Sequence, residues 1–158
     1  DMAAVKFEVL RTIDASSRIV WEELIDWYGH GEWIPATWIE TDAPDPTAVG
    51  AHFTAFTGYG RLALEDRMKV VQCDWDEATQ RGECEVSKLG PVLHGGARFT
   101  VTPNDDGCEV RWIEDVTVRY LPGFLSPVAA KVGAAGFTRA LGRLAKLLAS
   151  KPSPASPS

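Results

Sequence analysis

The chain has 158 residues, 45% of them hydrophobic and 24% charged, and carries a formal net charge of −6. A length of this order suits one domain, and the composition is that of a soluble globular protein, far from that of a disordered one. The acidic balance contains no Lys/Arg run long enough to form a basic stripe, so it repels phosphate backbones and argues against nucleic acid as a partner.

Asp1 precedes Met2, which is read as the natural start. The opening residues lack the basic segment, apolar core and cleavage site of a secretory signal, so a cytoplasmic location is expected. Val5, Phe7, Val9 and Ile13 then fall on one face of an alternating segment from Val5 to Ile13, broken only by Arg11. That is the pattern of a strand with one buried face. Ser16 or Ser17 can cap a following helix, in which Val20, Trp21, Leu24, Trp27 and Tyr28 recur at helical spacing while Arg18, Glu22, Glu23 and Asp26 stay in water. Gly29 and Gly31 interrupt it, and one more turn from His30 to Ile34 ends at Pro35, which disfavours helical geometry in its predecessor.

From Trp38 onward the period becomes two, punctuated by glycine- and proline-rich turns. Six strands are predicted near 37–43, 51–57, 62–74, 82–89, 93–102 and 108–119. Connections this short join antiparallel neighbours. His94-Gly95-Gly96 is read as a bulge or close backbone approach within a strand, since no helix follows to make a phosphate cradle. Ser126-Pro127 then signals the start of a long helix. Leu125, Val128, Val132, Ala135, Phe137, Leu141, Leu144 and Leu148 are expected along its buried stripe, with Lys131, Arg139, Arg143 and Lys146 exposed. Residues 1–150 make one domain. The tail from Lys151, alternating Pro and Ser, has nothing to bury and is expected to be disordered.

Tyr120 to Ala130 is the longest uncharged stretch, and it falls well short of the about 20 apolar residues that cross a bilayer. No membrane insertion is expected. Cys73, Cys84 and Cys108 form no CxxC pair and are read as buried thiols of a reducing compartment. The three histidines, His30, His52 and His94, lie in different elements without metal-ligand spacing, so neither a metal nor a cofactor is expected. No nucleophile motif or complete dinucleotide fingerprint is present.

Two carboxylates interrupt otherwise apolar alternating sets. Asp66 shares a face with Leu62, Leu64, Met68 and Val70, and Glu114 shares one with Cys108, Val110, Trp112, Val116 and Val118. Both are expected to point inward, where burial raises a carboxyl pKa unless a cation or several donors compensate. They pack as satisfied ion pairs or lie in solvent where the alternation frays, or they orient a ligand hydroxyl or move a proton as catalytic candidates.

Ile13-Asp14-Ala15-Ser16 leading to Val20-Trp21, then Trp33-Ile34-Pro35, Val49-Gly50-Ala51-His52-Phe53 and Trp112-Ile113-Glu114-Asp115-Val116 resemble, in order and spacing, the SRPBCC superfamily. This is the helix-grip group of START domains and birch-pollen-type allergens, and the nearest branch is that of bacterial polyketide cyclase/dehydrase-like proteins. The resemblance implies an α+β helix-grip fold: a seven-stranded curved antiparallel sheet, two short helices after the first strand, and a long C-terminal helix over a cavity. It implies that the first and last strands pair, which would set Arg11 opposite Glu114.

The glycines and alanines of Lys131 to Gly136 either let the helix lie close on the sheet or leave a void beneath it, and the resemblance favours the void. The function implied is a binding or carrier protein for a small hydrophobic or aromatic molecule. Trp33, His52, Phe56, Asp66, Met68, Phe99, Trp112, Glu114 and Phe137 are the expected ligand contacts. Trp27, Trp38 and Trp75 are assigned to packing or rim. A polyketide aromatase/cyclase-like enzyme and a regulatory interaction protein remain as alternatives, and a homodimer is left open.

Overall fold

The computed structural model describes residues 2–59 and 62–150. The expected disordered tail lies outside the described residues. Strand β1 (Met2–Ile13) leads into helix α1 (Ser17–Ile25), a 3-10 helix (Trp27–Glu32) and strand β2 (Thr37–Glu40). Strands β3 (His52–Thr57), β4 (Leu64–Asp76), β5 (Arg81–Leu89), β6 (Leu93–Asn104) and β7 (Gly107–Arg119) follow, and helix α2 (Ser126–Ser150) closes the domain. All seven strands form one antiparallel sheet in the order β1-β7-β6-β5-β4-β3-β2. The fold is α+β and helix-grip-like.

Local chemistry explains the joints. Ser16 is the N-cap of α1, its side chain accepting from the Ile19 N–H, which satisfies one of the donors a helix start leaves unpaired. Ser17 donates to the Gln80 carbonyl at 2.7 Å, tying α1 to the β4–β5 turn. Asp26 caps the 3-10 helix through the Gly29 N–H. The indole N–H of Trp27 reaches the Pro46 carbonyl at 2.7 Å, so the long β2–β3 connection is tied to the same corner.

The core lies between the inner face of the sheet and α1 with the C-terminal half of α2. Ile13, Val20, Leu24, Cys84, Val101, Val110, Leu141 and Leu144 are sealed from solvent there. The stripe expected on α2 holds only from Phe137 onward. Val128 and Val132 are exposed at 56% and 66%, and Ala135 is also exposed. The helix instead presents Gly133 and Ala134 to the protein, because a face without side chains permits closer approach. A Cβ on Gly133 would stand 2.5 Å from the Phe7 ring. Close packing, and not a void, is therefore what these small residues provide at this point.

Cys84 and Cys108 are buried, as expected, while Cys73 is only half-buried. Among the described residues no helix is long and apolar enough to cross a membrane.

Candidate ligand-binding site

A hollow of about 100 Å³ lies at the other end of the inner face. Its walls are largely apolar, built from Trp27, Ile39, Phe53, Val86, Phe99 and Phe137 among others. The hydroxyls of Thr37 and Thr57, exposed and 2.9 Å apart, belong to its lining and mark its open side. α2 contributes Phe137, next to Gly136, so the space meets the helix at its middle.

Three charged side chains meet in this apolar surround. The Lys88 ammonium donates to Asp66 Oδ2 at 2.5 Å and stands 3.6 Å from Glu114 Oε2. Glu114 Oε1 accepts from the Trp112 indole N–H at 3.0 Å. Lys88 and Glu114 are almost wholly buried, at 6% and 4% exposure. Asp66 Oδ1 is shielded from solvent and has no hydrogen-bond partner, a costly state for a carboxylate oxygen.

Strand register brings the three together. Asp66 comes from β4, Lys88 from β5 and Glu114 from β7, with β6 lying between the last two. Gly95 of β6 is the residue directly opposite Lys88, and its φ of +122° is in the left-handed region that favours glycine. A Cβ there would run into the Asp115 carbonyl and the Val116 Cα of β7, so glycine lets β6 and β7 approach closely at this point. The close backbone approach read from His94-Gly95-Gly96 thus falls at Gly95, opposite Lys88.

The electrostatics follow from burial. Desolvation alone would lower the Lys88 pKa, but the Glu114 and Asp66 carboxylates outweigh it and hold the ammonium above its ordinary range. Burial pushes the Glu114 carboxyl up, against the pull of Lys88 and the Trp112 N–H. Two carboxylates against one ammonium leave the cluster short of positive charge. His30, also in the lining, is lowered to about 4 by burial. It is therefore neutral at ordinary pH, with Nε2 bound to the Leu24 carbonyl at 2.7 Å.

Of the residues expected to contact a ligand, Asp66, Met68, Phe99, Trp112, Glu114 and Phe137 line the hollow. Trp33 lies behind the wall, fully buried against the His30 ring at 4.9 Å. His52 and Phe56 are on the opposite side of the sheet. In β3 it is Phe53 and Ala55 that point inward, while Phe56 stacks on half-exposed Trp38 at 5.2 Å and His52 is solvent-exposed. Both faces of 51–57 carry an aromatic residue, so alternation alone does not set the parity. Trp27, assigned to packing or rim, is part of the lining and stacks on Phe53 at 4.5 Å.

Arg11 is not opposite Glu114. The ladder pairs Phe7 with Glu114 and Arg11 with Val110, and Arg11 is exposed with its guanidinium beside Gly142 of α2. The buried cation that does meet the carboxylates, Lys88, was missed in the sequence. Its signal was present: Gly82, Cys84, Val86 and Lys88 form an inward set broken by one charge, as the Asp66 and Glu114 sets are. Next to the Gly90-Pro91 turn, a strand-terminal lysine resembles an ordinary solvated end.

The sequence matches the family model described as polyketide cyclase / dehydrase and lipid transport over residues 4–149. Among curated proteins none matches it. A solved protein from Rhodobacter sphaeroides superposes with a TM-score of 0.67 at 16% identity, over 96% of this chain and 100% of the other. One from Thermobifida fusca gives 0.62 at 21%, over 90% of each chain. Ara h 8.0201 gives 0.57 at 16%, over 89% of this chain and 97% of that one. These likenesses establish the fold, and the match over nearly the whole chain establishes the kinship. The chain belongs to the polyketide cyclase / dehydrase and lipid transport family, within the SRPBCC superfamily.

Proposed function

We propose that the protein binds a small hydrophobic or aromatic molecule in the hollow, as a carrier or receptor, and that the guest bears a hydrogen-bond donor. The observation that carries this is the unpartnered Asp66 Oδ1 among apolar walls. A purely structural cluster gains by satisfying every buried oxygen, and a guest hydroxyl is the partner this one lacks. The two carboxylates disfavour guests that are themselves carboxylates.

An apolar cavity of about 150 Å³ holds benzene, and the present space of about 100 Å³ is smaller. A ring-bearing guest therefore seats its polar end inside and extends through the open side by Thr37 and Thr57. The three unlinked thiols favour a reducing, cytoplasmic setting for this role.

Calorimetric titration with phenol and with its methyl ether tests the proposal, because the ether keeps the ring and lacks the donor. Phenol should bind roughly tenfold tighter or more, the scale of a hydrogen bond to a charged group. In Asp66→Asn the amide oxygen must face the Lys88 ammonium, which turns an N–H to the guest, so the preference should vanish or reverse. Binding of neither ring overturns the proposal. Equal preference in wild type and Asp66→Asn overturns the role of Asp66.

One observation favours an enzyme of the cyclase kind as a second reading. Glu114 holds its proton to higher pH than an ordinary glutamate, as a group that exchanges protons with a ketone or enol needs. Turnover of a poly-β-ketone mimic that is lost in Glu114→Gln would carry that reading, and no turnover would end it.

A further inference from the structure

Away from the hollow, Cys73 and Cys84 are direct partners across the antiparallel β4–β5 ladder. Opposed residues in such a ladder have Cα atoms about 4.5–5.5 Å apart, inside the roughly 4.4–6.8 Å span that a disulfide requires. Their side chains leave the same face of the sheet, as directly opposed residues do. The register slips between Val70 and Gln72, immediately before Cys73. Such a bulge loosens and twists the local ladder, giving the pair freedom to adjust.

The two sulfurs differ in the way a redox couple requires. Cys73 is half-exposed, and its thiol is held below the usual range by the Cys84 thiol. Cys84 is fully buried and pushed up. The accessible sulfur is thus also the one more readily deprotonated, and thiolate character with exposure governs attack on an oxidant. Cys108 supplies an internal contrast. It is sealed in the core, and burial raises it to about 11.

We propose that Cys73 and Cys84 are a peroxide-sensitive pair that closes to a cross-strand disulfide joining β4 to β5. The Cys73 thiolate attacks one oxygen of hydrogen peroxide and breaks the O–O bond, becoming a sulfenic acid as hydroxide leaves and takes up a proton to form water. The Cys84 sulfur then attacks the Cys73 sulfur, an S–S bond forms, and the hydroxyl leaves with the Cys84 proton as a second water. Two thiols are oxidised and one peroxide is reduced. The cross-link would fasten together the two strands that supply Asp66 and Lys88, so oxidation acts on the frame of the charged cluster without touching it.

The folded full-length chain is treated with equimolar hydrogen peroxide, alkylated under denaturing conditions without reductant, digested and mapped by mass spectrometry. A Cys73–Cys84 linked peptide is expected, with an intact mass lower by about 2 Da before digestion, reversal by dithiothreitol, and Cys108 recovered as alkylated thiol. In Cys84→Ala the Cys73 sulfenic acid should persist long enough to be captured by dimedone. Oxidation of wild type that stops at sulfenic or sulfinic acid on Cys73, or that joins two molecules through it, overturns the proposal. The wild-type map decides alone if the variant does not fold.

Discussion

The two ends of the sheet's inner face are built on the same strands and differ in almost everything else. Along β5 the inward positions run Gly82, Cys84, Val86, Lys88, and along β7 they run Cys108, Val110, Trp112, Glu114. One end is filled: α1 and the C-terminal half of α2 press Trp21, Leu24, Leu141 and Leu144 onto it, and a Cβ on Gly82 would run into the Trp21 ring. The other end is hollow and carries all three charges. The contrast teaches that a single face can serve as core and as chamber, provided covering elements fill only one end. Stability is then concentrated at the filled end, and chemistry at the other.

The largest effect should come from breaking the charged end by halves. Lys88→Met strands two buried carboxylates and should cost about 3–5 kcal/mol in urea unfolding, the range for removing one partner of a buried pair. Replacing the whole cluster, with Lys88→Met, Asp66→Leu and Glu114→Leu together, should restore most of that stability while abolishing the preference for phenol over its ether. If the triple variant remains as unstable as the single one, the cluster is a structural necessity and the contrast fails.

At the filled end Leu144→Ala should cost about 3 kcal/mol, within the range for emptying a sealed leucine site. Val132→Ala, on the exposed part of the same helix, should change stability by less than about 0.5 kcal/mol. Equal losses would mean that α2 is packed evenly along its length.

The pH dependence sharpens the comparison further. His30 falls from the ordinary 6.5 to about 4 in the fold, so between those values the unfolded chain binds the extra proton. Its contribution is complete above 6.5 and is lost as pH falls toward 4, by about 3 kcal/mol at about 1.36 kcal/mol per pH unit. Glu114 is raised and acts with the opposite sign: its contribution is present at low pH and lost as pH rises through its folded value. Urea unfolding between pH 4 and 7 should therefore show a steeper acid-side loss in Glu114→Gln than in wild type, and a flatter one in His30→Gln.

Much of the fold was legible in the sequence because period two and period 3.6 separate cleanly here, and the turn residues sit between them. The inward placement of Asp66 and Glu114 came from the same alternation. What alternation cannot supply is register between strands. Pairing the first and last strands without a register left Arg11 opposite Glu114 when the ladder sets Phe7 there, and alternation could not show that Lys88, Asp66 and Glu114, from three strands, converge. The exposed Val128 and Val132 failed for another reason: hydrophobicity ranks valine above glycine and alanine for burial, yet the smaller residues allow the closer contact with Phe7.

Trp112 is stacked between Phe99 at 5.1 Å and Phe137 at 4.7 Å with its N–H fixed on Glu114, and Trp27 forms part of the same lining. Two of the six tryptophans are thus set where an occupant would alter polarity and quenching around the indole. The protein carries its own optical gauge of occupancy, and a shift in emission on adding a compound would report entry without any label.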